Sequence, residues 1–539
     1  MLLKYFLILC LTLSSLYSYS QLAPNFRVHP SPLFNQIEPS IVRHPSNQMI
    51  MFVSAFTIKT GTSFRSEGVY FTTNGGVSWF GNDTCTGTPI QNHGGDPGPI
   101  IDKNGRFILT HQGGLQTGMF SNYSDNFGSS WSANYTILIG DQDKGTPGTD
   151  DVPSSAFYGR TYLVWTRFSG TIPIVLSYTS NGGDNWSSFI QVNSGQSGHQ
   201  SLGGNIIVGP SGQVYVTWAS ALTSSPFSED CVGFGVSTNG GINWSVQECA
   251  YDCNGIKSSS LSPWNIRVNG YPAIDVDKTG GSRNGWIYIA AAEKNLSPAG
   301  SDPDVVFHRS TNGGLNWSAG IRVNQDPINN GKVQLFPAIR VDEGGGINVL
   351  YYDNRNISSD SMEVYISRSI DGGNTWNDYL VSDHRFRPRS VIGAGTGNMG
   401  DNIGITSGNG KLWPVWMDNR TDTLQTWTSG IDISSIGIKK ISSEIPAKFE
   451  LKQNYPNPFN AITNFELRIA NYGFVRLILY DALGREAATL INEGLKPGSY
   501  EVDFDGTNYT SGVYYYQLIV SSERLTETYR ETRKMVLMK

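Results

Sequence analysis

Thr72-Thr73-Asn74-Gly75-Gly76-Val77-Ser78-Trp79 recurs, with small changes, five more times along this 539-residue chain. The copies run Ser124 to Trp131, Thr179 to Trp186, Ser237 to Trp244, Ser310 to Trp317 and Ser369 to Trp376. Successive tryptophans lie 52, 55, 58, 73 and 59 residues apart. That period is long enough for one four-stranded sheet with its loops, and repetition at such a period marks an array, here a β-propeller. Within each copy the third residue (Asn74, Asn126, Asn181, Asn239, Asn312 and Asp371) can accept hydrogen bonds from amides inside the turn. The glycines that follow permit positive φ. The closing Trp79, Trp131, Trp186, Trp244, Trp317 and Trp376 each carry a large apolar area to bury between sheets. These residues are therefore read as structural.

Working outward, each unit reads strand, strand, strand, boxed turn, strand. Phe336 to Val341, Ile347 to Tyr352, Met362 to Ile366 and Tyr379 to Val381 are the clearest set, rich in β-branched and aromatic residues between Gly, Asn and Asp. Unit starts fall near Glu38-Pro39, Gly98-Pro99, Val152-Pro153, Leu202, Tyr271-Pro272, Phe336-Pro337 and Asp401-Asn402. That count favours seven blades, with six as the alternative. The last unit, through Leu412 to Met417 and Leu424 to Thr428, has no box and no fourth strand of its own. Residues 24–30 are expected to supply that strand and latch the ring, leaving no open edge.

Only 16% of residues are charged, against roughly 25% in ordinary domains, while the chain holds 61 glycines and 12% aromatics. A net charge of -6 gives no basic footprint for nucleic acid. Lys4 followed by the apolar run Tyr5 to Leu16 and then Ser18-Tyr19-Ser20 has the form of a signal peptide over residues 1–20. The run is too short to span a bilayer, so no transmembrane segment is expected in the mature chain. Cys10 would leave with the signal. Cys85, Cys231, Cys249 and Cys253 remain as disulfide candidates in an oxidising compartment.

The boxed turns resemble the Asp-box, or BNR, repeat of the sialidase-like propellers, over a propeller placed at residues 21–433. After a linker at 434–444, residues 445–539 alternate like a small Ig-like β-sandwich. Gln453 to Asn460, Tyr480-Asp481 with Gly484-Arg485, Ser511 to Tyr516 and the final Lys534-Met535 to Lys539 resemble the type A sorting domain of the type IX secretion system of Bacteroidetes-like bacteria. Ala461 stands where that family carries proline. The resemblance implies the type IX export machinery as a partner. It also implies a protein that is secreted or attached to the outer-membrane surface.

Sialidases clamp a substrate carboxylate with arginines, the first in an Arg-Ile-Pro run, and this chain contains no such run. A neutral residue does not replace a bidentate guanidinium. The expected function is therefore a non-catalytic module that binds an extracellular glycan or protein. The alternative is an extracellular glycoside hydrolase, exo-α-sialidase-like, or a polysaccharide lyase. Catalytic residues stay unassigned, although Glu38, Asp96, Asp150, Asp151, Glu293, Asp302, Asp304, Asp353 and Asp418 are available carboxylates. Asp353-Asn354-Arg355 and Asp418-Asn419-Arg420 follow the second strands of adjacent units, so Asp353, Arg355, Asp418 and Arg420 are ligand-binding candidates on one rim. Asp141, Asp143 and Asp150 are a candidate Ca2+ set that lacks the closing Glu of an EF-hand loop. No cofactor is required by any motif. The seven histidines are scattered and are expected at the surface or rim rather than in a shared metal site, with folding able to bring a few together as the alternative.

Overall fold

In a computed structural model, residues 22–539 are described except 86–92, 359, 437, 443, 461, 507–508 and 522–527. The signal segment with Cys10, and Ala461, lie outside the described residues. The chain is all-β, built from repeated four-stranded antiparallel sheets in a propeller-like arrangement. Phe34–Arg43, Met51–Lys59, Arg65–Thr72 and Phe80–Asn82 form the first sheet, and the same order repeats through Gln334–Val341, Ile347–Asp353, Glu363–Ser369 and Asn377–Leu380. Each first strand lies beside the first strand of the next sheet, and Gly404–Gly408 returns to Phe34–Arg43. The seventh sheet takes its outer strand from the N-terminus, with Phe26 opposite Thr428 and Arg27 opposite Trp427.

The second strands, such as Met51–Lys59 and Ile347–Asp353, are buried on both faces because a sheet packs on each side. That explains their nearly continuous apolar sequence. One first strand departs from expectation. Val152-Pro153 sits in a turn, and the third sheet begins instead with Gln142–Thr149. Its sequence, QDKGTPGT, has no apolar alternation: Lys144 to Pro147 line the polar cavity at the ring centre, and Gly145 and Gly148 leave room for Met119 and Ile206 of the neighbouring sheets.

All six boxed turns share one hydrogen-bond scheme. In the first, the Gly76 amide donates to Thr72 Oγ1 at 3.0 Å and the Ser78 amide to Asn74 Oδ1 at 3.0 Å. The equivalent bonds recur at Ser124/Asn126, Thr179/Asn181, Ser237/Asn239, Ser310/Asn312 and Ser369/Asp371. These turns lie at the opposite end of each sheet from the start of its first strand. Trp131, Trp186 and Trp376 are buried, whereas Trp79, Trp244 and Trp317 are half-buried.

Cys231 and Cys249 form a disulfide between Glu229–Ser237 and Ser245–Asp252. Cys85 and Cys253, also bridge candidates, are free and buried in separate apolar clusters, so packing rather than pairing accounts for them.

The C-terminal part consists of two more four-stranded sheets that enclose one core containing Phe465, Leu467, Leu477, Tyr516 and Met535. Part of the expected linker belongs to it, since Ile438–Ser442 pairs with Gly498–Asp505 as an edge strand. The Gln453 to Asn460 run is pinned to the last strand: Gln453 Nε2 donates to the Lys534 carbonyl at 2.8 Å and the Phe459 amide to that of Val536 at 2.9 Å. Among the described residues, no helix is long and apolar enough to cross a membrane.

Candidate functional site

Five first strands carry a β-bulge at one level, and the residue in each bulge has positive φ: Glu38 (55°), Asp96 (50°), Lys144 (57°), Gly203 (64°) and Phe336 (54°). A bulge breaks the alternation and re-aims a side chain. Positive φ costs a non-glycine residue energy and clusters at functional sites. Glu38, Asp96 and Lys144 thereby line a cavity of about 380 Å³ at the end of the ring remote from the boxed turns. The seventh first strand reaches the same level through Gly400, at φ 96°, where a Cβ would come within 3.0 Å of the Glu38 backbone nitrogen and strike Met417. That close approach places Asp401 in the cavity wall. The segment between the fourth and fifth sheets adds Lys257, Arg267, Asn269 and Tyr271.

Lys144 organises the acids. Its ammonium pairs with Asp401 Oδ1 at 3.0 Å and also with Asn402, while its backbone amide donates to Asp96 Oδ2 at 2.8 Å. Asn269 holds the other oxygen of Asp401 at 2.5 Å. Gln112 bridges Asp96 and Asp143 through one amide nitrogen, at 2.5 and 3.0 Å. Burial pushes the Glu38 carboxyl up, the nearby Asp401 charge adds to the push, and it reaches about 7. Burial also raises Asp96 and Asp143. Asp401 goes the other way: burial opposes ionisation, but Lys144, Arg267 and the bond from Asn269 outweigh it and hold the carboxyl low. One pocket thus holds a carboxyl pushed up to about 7 beside one held below the ordinary carboxylate range. Such a split is what acid–base chemistry requires. Arg267 is exposed on the wall, and among the described residues neither it nor Lys257 forms an ion pair.

Beneath the pocket, Glu67, His93 and His111 are buried together, with potential ligand atoms all within 4.8 Å of one another. This corrects the expectation of surface histidines, and the ring brings together what the sequence scatters.

The other candidates fall elsewhere. Arg355 donates to both oxygens of Asp353, to Tyr351 Oη at 2.9 Å and to Asp378. Arg420 grips Asp418, pairs with Asp383, and lies 3.9 Å over the Trp427 ring. Both guanidiniums are consumed in stitching loops to strands, so the ligand-binding expectation for these four residues gives way to an internal one. Asp143 and Asp150 stand at opposite ends of Gln142–Thr149, roughly 20 Å apart at 3.3 Å per residue. Asp150 instead caps a turn through the Val152 amide and Ser155 Oγ. They therefore cannot share an ion with each other, and Asp141 is exposed outside the pocket lining. Of the carboxylates singled out in the sequence, Glu38, Asp96 and Asp143 reach the pocket. Lys144, Arg267, Asn269 and Asp401 were not singled out as site residues. The visible signal for the bulged level was the X-Pro step in Glu38-Pro39 and Asp96-Pro97.

No family model matches the chain, and no curated protein does. Among solved structures, an ulvan lyase of polysaccharide lyase family PL25, bound to -[GlcA(1-4)Rha3S]-, is similar over 74% of this chain and 95% of its own, at 13% identity and a TM-score of 0.49. The Hadza microbial sialidase Hz136 is similar over 71% of this chain and 76% of its own, at 12% identity and a TM-score of 0.40. An α-L-arabinanase of Penicillium chrysogenum complexed with arabinobiose covers 62% of this chain and 92% of its own, at 12% identity and a TM-score of 0.37. At these values the likenesses assign neither a family nor an activity.

Proposed function

We propose that this chain is an exported enzyme that cleaves an acidic extracellular glycan in the pocket at the centre of the ring. The observation that carries the reading is the pairing of Glu38, poised to give up a proton near neutral pH, with the ionised Asp401 in one polar cavity. Glu38 protonates the departing glycosidic oxygen as its bond to carbon breaks, a water molecule forms the new bond to that carbon and gives its proton to an ionised carboxylate of the wall, and the developing positive charge on the sugar is stabilised by the same wall. Arg267 and Lys257, free of ion pairs, receive the carboxylate or sulfate of the substrate. The test is turnover of acidic and neutral polysaccharides by the purified protein, read both as new reducing ends and as ultraviolet absorbance of an unsaturated product. Reducing ends alone mean hydrolysis, and both together mean elimination. Retained binding with no turnover of any polymer would return the protein to a non-catalytic binding module.

The ring is read as a closed seven-bladed propeller of Asp-box type. The cyclic order of the first strands, the N-terminal closing strand and the six equivalent turns support that reading. The C-terminal pair of sheets is read as a sandwich that serves as a type IX sorting signal. The supporting features are the Gln453 to Asn460 run and Lys534-Met535, which are adjacent in space as well as matched in sequence.

A further inference from the structure

Among the described residues, the Glu67, His93 and His111 cluster is short of hydrogen-bond partners. Glu67 is fully buried, and although Oε1 accepts from the Gly95 amide at 3.2 Å and lies 3.9 Å from His93 Nδ1, Oε2 has no partner among the described residues. His93 is 4% exposed and neither ring nitrogen is hydrogen-bonded to a described residue. His111 meets an oxygen at both nitrogens: the Gln112 carbonyl 2.8 Å from Nδ1, and the side-chain oxygens of Asn122 and Asn134 at 3.1 and 3.2 Å from Nε2. The Asn122 amide is oriented by its own donation to the Ser132 carbonyl. A neutral imidazole has one N–H, so it cannot satisfy oxygens on both sides. Burial disfavours the charged form of all three groups, lowering both imidazoles and raising the Glu67 carboxyl. Buried polar groups without partners are rare, and an ion is one of the few things that accounts for several at one point.

We propose that Glu67, His93 and His111 bind one divalent transition-metal ion of the zinc class. Two neutral imidazoles and a carboxylate form a nitrogen-rich donor set that suits zinc better than calcium, which takes oxygen ligands. The ligands come from Arg65–Thr72 of the first sheet and from the loop before, and the second strand of, the second sheet. The ion therefore ties adjacent sheets together directly beneath the Gly94-Gly95 wall of the pocket. The inference does not depend on the glycan reading, because a stabilising metal site serves either function.

The test uses the purified full chain, stripped with a chelator and then titrated with zinc chloride while calorimetry, metal content and thermal unfolding are followed. One equivalent of zinc should bind and raise the unfolding midpoint in proportion to the logarithm of free zinc. Glu67→Gln and His93→Gln should weaken zinc at least roughly 100-fold, beyond the usual effect of outer-shell changes. His384→Ala, at an exposed histidine, should leave binding unchanged. Wild-type protein that takes up no stoichiometric zinc, or whose midpoint ignores it, overturns the proposal whether or not the variants fold. Zinc bound as tightly by both cluster variants as by the wild type overturns it equally. Calcium uptake at this site in preference to zinc overturns the assignment of the ion.

Discussion

Replacing Lys144 by methionine removes the cation from a pocket wall that carries Glu38, Asp96, Asp143 and Asp401. The side chains of Lys144 and Asp401 are 14% and 9% exposed, so solvent screens their 3.0 Å contact little. Methionine nearly preserves the volume, which confines the loss to charge. Breaking a buried pair by removing one partner costs about 3–5 kcal/mol, because the remaining charge is stranded. With a urea slope of about 3 kcal/mol/M, that is a midpoint shift of roughly 1–2 M. The cost should depend on pH in a defined direction. In the wild type the Asp401 carboxyl is held low, so its contribution is present above the unfolded carboxyl value and lost as pH falls through the folded one. In the variant its folded value lies above the unfolded one, so protonation relieves the strain as the solution is acidified. The gap between variant and wild type is therefore widest on the basic side and narrows as the pH falls towards the unfolded carboxyl value. Urea titrations followed by tryptophan fluorescence at several pH values measure it. A loss below about 1 kcal/mol, or one that does not change with pH, would refute the electrostatic account of the pocket.

Trp376→Ala should cost about 3–5 kcal/mol, since the ring is buried and meets Phe307 edge-on at 5.1 Å, whereas the half-buried Trp79 should cost less on replacement. Equal losses in equilibrium unfolding would mean that burial does not set their role. Deleting residues 22–31 should speed hydrogen exchange at Trp427 and Thr428, which lie opposite Arg27 and Phe26 of the removed strand, while Leu424 and Thr426 keep the Asn35 and Gln36 acceptors; unchanged protection at Thr428 would show that the ring closes without it. Cleaving activity should fall as pH rises through about 7, where Glu38 loses its proton. Glu38→Gln should lower kcat by on the order of 10²–10⁴, and an unchanged basic limb in that variant would move the proton donor elsewhere. Removing residues 437–539 should leave the protein in the periplasm of its secreting cell. Fractionation that finds the truncated form at the surface at full-length levels would strip the C-terminal part of its sorting role.

The boxes were legible because their chemistry is local. Asn74 and Thr72 satisfy amides four residues on, so the interaction is written in consecutive letters and recurs wherever the letters do. The apolar second strands were legible for a related reason, since burial on two faces forces a continuous run. The closing strand at Phe26–Arg27 was legible by counting, because a sheet short of a strand needs one from somewhere. Gln142–Thr149 was not, for Lys144 to Pro147 line a polar cavity and the strand carries no apolar alternation. The pocket was legible only in fragments. Glu38 and Asp401 are 363 positions apart in the chain and become neighbours because the ring brings its seventh sheet back beside its first. Lys144 looks like an ordinary surface lysine until the bulge at Asp143 turns it inward onto Asp401. The sequence thus determined the repeated sheet and its turns, which depend on neighbours in the chain. The pocket's charges, their protonation and the Glu67–His93–His111 cluster depend on burial and on distances across the ring, and only tertiary structure sets those.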